Sequence, residues 1–146
     1  MNTRRSPEDS PPVTDREQGL YRGRRVARQF VSKDGWIVLV GKNAGDNDVV
    51  TFKLGRPYDF WLHVAAGPGS HVVALNDARE SRMPKETERL AAGLAAGYSS
   101  ERRGGRVSVH VVRCGEVSKP RGAAAGKVAI ARPKKVQAQP LREEDL

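Results

Sequence analysis

The chain has 146 residues and a net charge of +9, from 26 Lys and Arg against 17 Asp and Glu. Once a polar N-terminal stretch is set aside, about 120 residues remain, which suffice for one two-layer core but exclude a second domain of similar size. This charge is typical of a protein that meets a polyanion, with nucleic acid favoured over an anionic membrane. No apolar run approaches the roughly 20 residues that span a bilayer. The single cysteine, Cys114, cannot form an internal disulfide, and we expect it to be a packing residue. The lack of a disulfide and of a long apolar segment predicts a cytoplasmic protein.

The excess positive charge falls in two blocks of the sequence. Residues 21–60 carry a net charge of +4 and residues 101–146 carry +6, whereas residues 61–100 are neutral. Two basic blocks around a neutral middle predict a cationic rim, and phosphate contacts from such a rim set affinity without reading base sequence. The alternative is that these are ordinary solubilising charges spread over all faces of the protein.

The two ends of the chain differ in composition from its middle. Residues 1–20 are polar, contain several prolines and show no periodicity, which predicts a disordered leader. Residues 141–146 end in an acidic run and predict a loose tail. We therefore assign residues 21–140 to a single folded domain.

The first half of this domain is expected to hold strands and one short helix. An arginine-rich stretch over 21–33 favours a first strand, and Asp34-Gly35 after it is a hairpin turn signal. The β-branched and aromatic run 36–40 predicts a central strand that ends at Gly41. Residues 43–55 begin with capping side chains and end with glycine, which is typical of a short helix.

The second half is expected to hold a long helix and further strands. A proline opens the stretch 84–98, and apolar residues follow at fourfold spacing, which predicts a helix that lays one stripe on a sheet. Alternating valines predict a strand over 107–112, and residues 119–135 alternate basic turns with one short apolar strand. The expected fold is α+β: a single domain with a mainly antiparallel sheet and one long and one short helix packed on one face.

Residues 59–75 concentrate the polar chemistry of the chain around a Gly-Pro-Gly turn. Side-chain alternation places Asp59, Trp61 and His63 on one side of a predicted strand and three apolar residues on the other. This segment is therefore the candidate functional site.

The Gly-Pro-Gly turn is expected to bring the second histidine back to the first. Pro68 and Gly69 suit the two central positions of a type II turn, because proline fixes the first φ and glycine accepts the positive second one. Ser70 and His71 would then return close to His63.

Several separate stretches of the sequence match a family of RNA-binding domains in order and spacing. They are residues 41–48, 59–64, 67–72, 91–99 and 117–128. Over about residues 25–140 the chain resembles the NFACT RNA-binding domain family. The resemblance implies a compact α+β domain that binds RNA and, in the large proteins of the family, works on tRNA-bearing large ribosomal subunits. Departures in the closing strands favour a stand-alone RNA-binding module of the bacterial type.

On this hypothesis Trp61 stacks on a base or ribose, while His63, Ser70 and His71 bond phosphates or 2′-hydroxyls, with Asp59 orienting them. Free amides of the turn would help to hold a phosphate. The cations interpreted as phosphate contacts are Arg22, Arg24, Arg25, Arg28, Lys42, Arg102, Arg103, Arg106, Lys119, Arg121, Lys127, Lys134 and Lys135. The purely structural alternative makes Trp61 a half-buried sheet aromatic and the histidines a cross-strand pair held by Asp59.

The predicted function is a non-catalytic module for structured RNA, either tRNA or rRNA, in translation, ribosome-associated quality control or RNA modification. With only 3 Phe, 3 Tyr and 2 Trp, shape and backbone recognition are favoured over reading a long single strand. No cofactor, metal or membrane is expected, and the oligomeric state stays open. The alternatives are acid-base chemistry on a phosphodiester by the two histidines, or a zinc site that adds His110.

Overall fold

The computed structural model describes residues 15–146, which form one sheet-centred α+β domain. The strands are β1 (Leu20–Tyr21), β2 (Arg24–Arg25), β3 (Ala27–Val31), β4 (Ile37–Gly41), β5 (Phe60–Val64), β6 (Val72–Ala74), β7 (Val107–Arg113), β8 (Val117–Ser118), β9 (Ala129–Ile130) and β10 (Lys134–Ala138). The helices are α1 (Asp15–Gln18), α2 (Ala44–Val49) and α3 (Lys85–Gly97). A π-helical turn (Val50–Leu54) extends α2, and 3₁₀ turns cover Cys114–Glu116 and Glu143–Asp145.

Six strands form the central sheet in the order β10-β7-β5-β6-β4-β3, and every pairing in it is antiparallel. Two small hairpins, β1-β2 and β8-β9, lie outside this sheet. The predicted α+β class and antiparallel sheet are therefore confirmed. No helix within the described residues 15–146 is long and apolar enough to cross a membrane.

The sheet is covered on both faces, and each face has its own core. Phe60, Leu62 and Val64 of β5 pack in the cluster that contains the buried side of α3. Trp61 lies in the opposite cluster, together with Leu54 of the π-helical turn. Alternation along β5 is as the sequence predicts. The expectation that both helices share one face is wrong, because the short helix and the long helix pack on opposite faces.

Residues 15–20, which the sequence analysis assigns to a disordered leader, are folded. They form α1 and the start of β1, and Arg16 is only 7% exposed. So short a segment has no recognisable periodicity in sequence. It is held by the buried ion pair of Arg16 with Asp59 and by further hydrogen bonds, including one from Arg16 Nη1 to the Leu54 carbonyl. The rest of the predicted leader, residues 1–14, lies outside the described residues.

The C-terminal residues are also held in place, in contrast to the loose tail expected for 141–146. The Leu141 amide donates to the Gly93 carbonyl at 2.8 Å, and any Cβ on Gly97 would collide with the Leu141 backbone. Two glycines in α3 thus create a smooth face that receives the tail.

Strand β10 is the main element that the sequence analysis missed. It pairs with β7 from Lys134 opposite Val111 to Ala138 opposite Val107, at an edge of the sheet. In this strand Val136 is half-buried and Ala138 is buried, while the other residues are exposed. Two lysines and the preceding Pro133 leave too few apolar residues for the sequence to predict a strand.

Candidate functional site

An open cleft of about 860 Å³ lies at one end of the central sheet. It is formed where four segments converge: the β4–α2 connection, the Gly-Pro-Gly turn between β5 and β6, the C-terminal end of α3, and residues 125–130 of the β8–β9 hairpin. Residues far apart in sequence meet there because antiparallel strands bring alternate connections to the same end of a sheet.

The Gly-Pro-Gly turn at this cleft is fixed from two sides. The Ser70 amide donates to the Tyr98 carbonyl at 2.9 Å, and the Ser70 hydroxyl donates to the Gly41 carbonyl at 2.8 Å. On the other side, the His71 amide donates to Asn47 Oδ1 at 3.0 Å. The amides of Ser70 and His71 are therefore engaged within the protein, which contradicts their expected availability for a phosphate.

The expected type II turn at Pro68-Gly69 does not form. The positive φ falls on Gly67, at +87°, and not on Gly69. Gly69 serves a different purpose, because it forms a β-bridge to Ser99 and a Cβ there would lie 2.8 Å from the Ser99 Cβ. Close approach to the end of α3 explains the second glycine.

The turn nevertheless returns His71 to His63, as the sequence predicts. The two imidazole centroids lie 5.6 Å apart, and the Trp61 ring lies 5.7 Å from His63 and 5.1 Å from His71. Trp61, His63 and His71 thus form one aromatic cluster on the sheet face opposite α3.

A hydrogen-bond chain passes through this cluster. His71 Nε2 lies 3.1 Å from the Gly126 carbonyl, which can only accept, so Nε2 carries the proton. His71 Nδ1 then accepts from the Thr51 hydroxyl at 2.8 Å. Thr51 Oγ1 in turn accepts from Trp61 Nε1 at 3.0 Å. Both nitrogens of His71 are satisfied internally, which leaves none for a phosphate.

The histidines of this face are held neutral. Burial, and then the neighbouring charge of His63, lowers the pKa of His71 to about 4. Burial also lowers the pKa of His63 and of His110. Because neutral imidazoles offer no positive charge at pH 7, these side chains do not act as cationic phosphate ligands.

Trp61 is only 1% exposed, so it has no free face on which a base could stack. The sequence expectation of a stacking platform is therefore wrong, and the structural alternative describes this side chain better. His63 is half-buried and keeps one edge at the cleft. Of the predicted polar segment, His63 and Ser70 are the side chains that retain access to the cleft.

Asp59 does not orient the histidines. It is fully buried and accepts from Arg16 Nη1 at 2.6 Å, from the Arg56 amide at 2.7 Å and from the Asn76 amide at 2.7 Å. Arg16 Nη2 also donates to the exposed Asp77 at 2.8 Å. Burial alone would lower the pKa of Arg16, but the hydrogen bonds that it donates to Asp59 and Asp77 raise it above its ordinary value. Asp59 thus connects α1 to the start of β5.

The cations predicted from sequence divide into two groups. Those at the cleft are Arg28, Lys42, Arg102 and Lys127. Arg142, which the sequence analysis did not include, joins them from the C-terminal segment. The residues that line the cleft include no Asp or Glu, so this is a surface of one charge sign.

Other predicted contacts are occupied by the fold or lie elsewhere. Arg25 donates to the Gln18 and Ala27 carbonyls, and Lys119 pairs with Asp48 at 3.0 Å. Arg106 lies in a separate groove between α3 and β10. Arg103 and Arg121 are exposed but do not line the cleft, and Arg24 and Lys134 pair with Asp46 and Glu88.

The zinc alternative requires several ligand side chains close together. Within residues 15–146, no group of three or more His, Cys, Asp or Glu is arranged to hold a metal ion. Burial, followed by the charge of Asp59, raises the pKa of the Cys114 thiol to about 12, and its Sγ donates to the Thr51 carbonyl. Cys114 is a packing residue, as the sequence indicates.

The molecule is thus an antiparallel α+β domain with a cationic cleft at one end of its sheet. A family model, the NFACT protein RNA binding domain, matches residues 27–132. The chain belongs to the NFACT RNA-binding domain family.

Curated relatives and solved structures agree with this assignment. The chain is 33% identical over 122 residues to the Rqc2 homolog RqcH of Streptococcus suis, a match that covers 83% of this chain and 22% of the relative. It is 36% identical over 103 residues to the RqcH of Bacillus subtilis, covering 70% and 17%. The C-terminal structure of the fibronectin/fibrinogen-binding protein from Streptococcus suis superposes with a TM-score of 0.76 at 32% identity, covering 84% of this chain and 48% of that one.

These relatives are much longer proteins. The chain spans less than a quarter of the length of the RqcH proteins it matches.

Proposed function

We propose that this domain is a non-catalytic RNA-binding module that holds the sugar-phosphate backbone of a structured RNA in the cleft. The observation that carries the proposal is the composition of the lining, which presents five cationic side chains and no carboxylate. Phosphate neutralisation by Lys and Arg supplies most of the affinity of such surfaces.

Three of the five cations are exposed at the protein surface. Lys42, Arg102 and Lys127 are exposed, and within residues 15–146 their charged groups make neither ion pairs nor side-chain hydrogen bonds. The loops that carry them are anchored beside each cation: the Ser70 hydroxyl donates to the Gly41 carbonyl, the Arg102 amide to the Ser99 carbonyl, and the Gly126 amide to Asp48 Oδ2 at 3.2 Å. An anchored loop loses less conformational entropy when it binds a ligand.

The shape of the ligand follows from the aromatic side chains. Trp61 is buried, and Tyr98 is the half-exposed aromatic residue of the lining. Because base stacking is therefore limited, the cleft favours recognition of backbone shape, which suits tRNA or rRNA more than an extended single strand.

The biological setting is taken from the relatives. One further relative, 29% identical over 70 residues, is named a ribosome quality control complex subunit NEMF homolog, from Drosophila melanogaster. Together with the RqcH proteins it supports a role in ribosome-associated quality control, which we place in the cytoplasm. We propose tRNA or rRNA as the bound RNA.

Binding is tested by fluorescence anisotropy with labelled tRNA and with a large-subunit rRNA fragment. We expect Lys42→Ala/Arg102→Ala/Lys127→Ala to weaken binding at least about tenfold, since each phosphate contact contributes independently of base sequence. The charge-matched control is Lys33→Ala/Lys53→Ala/Arg82→Ala, which removes three exposed cations that do not line the cleft. Equal weakening by both variants would overturn the cleft as the binding site.

The absence of catalysis is tested separately. Incubated tRNA should stay intact over hours, and elemental analysis of the purified protein should show no stoichiometric zinc. RNA cleavage that disappears in His63→Ala would replace the binding proposal with the phosphodiester alternative, and one zinc per chain would revive the metal alternative.

A further inference from the structure

The wall of the cleft nearest α3 carries an arrangement that the sequence analysis did not anticipate. Two guanidinium groups lie against the ring of Tyr98, with the Cζ of Arg28 at 4.9 Å and the Cζ of Arg142 at 4.6 Å from its centroid. Arg28 comes from strand β3 and Arg142 from the C-terminal segment. Each contact alone is an ordinary cation–π interaction, but the pair places two positive charges on one ring.

These charges are poorly compensated within the protein. Among residues 15–146, the guanidinium of Arg28 makes no ion pair or hydrogen bond. Arg142 forms an ion pair with the largely exposed Glu144, whose Oε2 lies 3.8 Å from the Arg142 Nε, and this Nε is shielded from solvent without a hydrogen bond. Both guanidiniums therefore keep donors that an anion can accept from.

Tyr98 adds a third donor of the same kind. Its hydroxyl oxygen accepts from the Glu143 amide at 3.0 Å, which fixes the ring and leaves the hydroxyl proton without an acceptor among the described residues. Arg28, Tyr98 and Arg142 all line the cleft, and its lining contains no carboxylate.

The C-terminal segment is held where it can supply Arg142. The Leu141 amide bonds to Gly93, and the missing side chain of Gly97 leaves room for the Leu141 backbone. Arg142 follows directly, so its placement depends on the two glycines of α3. This residue lies beyond position 132, where the match to the family model ends.

We propose that Arg28, Tyr98 and Arg142 form a subsite for one phosphate group of the bound RNA. The subsite rests on the proposed function, and it adds a specific contact that the three exposed cations do not provide. Arginine forks bind phosphate oxygens bidentately, and such charge-assisted bonds are about twice as strong as neutral ones. A phosphate that contacts both guanidiniums would neutralise positive charge on this wall of the cleft.

A purely structural clasp is the competing explanation, and the chain contains a natural comparison for it. Arg79 lies 4.4 Å from the ring of Tyr58, outside the cleft. The Tyr58 ring carries this one cation–π contact, and its hydroxyl accepts from Arg56 Nη1 at 3.4 Å, so a tyrosine with two arginine neighbours also occurs outside the cleft. Arg79→Gln is therefore the matched control for loss of one charge and one cation–π contact.

The test measures tRNA affinity and its salt dependence for Arg28→Gln, Arg142→Gln, Arg142→Lys and Arg79→Gln. We expect Arg28→Gln and Arg142→Gln each to weaken binding about tenfold and to reduce the slope of log K against log salt by about 1. Arg142→Lys should keep the slope but lose several-fold in affinity, because lysine keeps the charge without the fork. Arg79→Gln should bind as the wild type does.

The outcomes separate this proposal from the proposed function. If Arg28→Gln and Arg142→Gln bind like Arg79→Gln while the Lys42/Arg102/Lys127 variant binds weakly, the subsite is wrong and the RNA-binding function stands. If that triple variant also binds like the wild type, the proposed function falls and the subsite with it. Should Arg142→Gln fail to fold, Arg28→Gln and Arg142→Lys decide the question, since both keep the C-terminal contacts of Leu141.

Discussion

The two ends of strand β5 use charged residues in opposite ways. Just before its first residue, the Asp59 carboxylate is fully buried and meets the Arg16 guanidinium at 2.6 Å. At its far end, Lys42, Arg102 and Lys127 stand in an open cleft without carboxylate partners in the described chain. The first end stabilises the fold, and the second is free to stabilise a ligand.

The comparison shows that residue type alone does not indicate function. An arginine in the presumed leader is structural, whereas one in the presumed loose tail reaches the cleft. What separates them is the partner that each finds: a buried charge needs an internal counter-ion, and an exposed unpaired one leaves its field available to a polyanion.

The largest expected effect comes from removing the buried ion pair at the start of β5. Asp59→Ala leaves the Arg16 guanidinium buried without its main partner, which we expect to lower the free energy of unfolding by about 3 to 5 kcal/mol. Urea denaturation measures it. The control Asp77→Ala removes the exposed partner of the same arginine, whose carboxylate is 62% exposed, and should cost less than about 1 kcal/mol. Equal losses in the two variants would contradict a buried, Asp59-centred ion pair.

The next effect depends on pH and concerns His71. Its pKa is about 4 in the folded protein against 6.5 for the free side chain, so the unfolded state binds more protons between these values. The stabilising contribution is complete above pH 6.5 and is lost as the pH falls from 6.5 towards 4, by about 3 kcal/mol in total. Denaturation at several pH values should show a flatter profile for His71→Gln than for the wild type. Identical profiles would mean that the pKa of His71 is the same in the folded and unfolded states.

A smaller effect is expected from the hydrogen-bond chain. Thr51→Val removes the acceptor of the Trp61 indole and the donor to His71, which should cost about 1 to 3 kcal/mol. Thermal and urea denaturation measure this loss. Thr51→Ser keeps the hydroxyl and should recover most of it, and a serine variant as unstable as the valine variant would point to packing instead.

The smallest effect is expected from one cleft lysine, and it distinguishes a role in binding from a role in stability. Lys42→Ala should weaken tRNA binding about three- to fivefold, and it should change the free energy of unfolding by less than about 0.5 kcal/mol. Binding and denaturation are measured on the same preparation, with Lys33→Ala as the exposed control away from the cleft. A stability loss without a binding loss at Lys42 would place this lysine with the structural residues.

The central elements of this fold could be predicted from the sequence. Alternation in β5, the capping Asn43 before α2, and the apolar spacing of α3 are local patterns, and each is confirmed. The resemblance based on ordered motifs is also confirmed by the family match. Local pattern and long-range packing agree at these positions, which is the condition under which sequence reasoning succeeds.

The remaining features depend on contacts between distant residues. Nothing local in Arg16 indicates a partner at position 59, and Trp61 becomes a buried side chain only because the π-helical turn places Thr51 over it. Likewise, Arg142 reaches the cleft because two helix glycines admit the tail. Such pairings are set by tertiary structure, and one sequence carries no local trace of them.

The most direct test of the two-ended account is the salt dependence of tRNA binding, compared between the two charge-matched triple variants. If the cleft binds phosphates, the slope of log K against log salt should decrease by about 2 to 3 in Lys42→Ala/Arg102→Ala/Lys127→Ala. It should change by less than about 1 in Lys33→Ala/Lys53→Ala/Arg82→Ala. Equal decreases in the two variants would show that RNA binding depends on net charge alone. That result would contradict the cleft as the binding site.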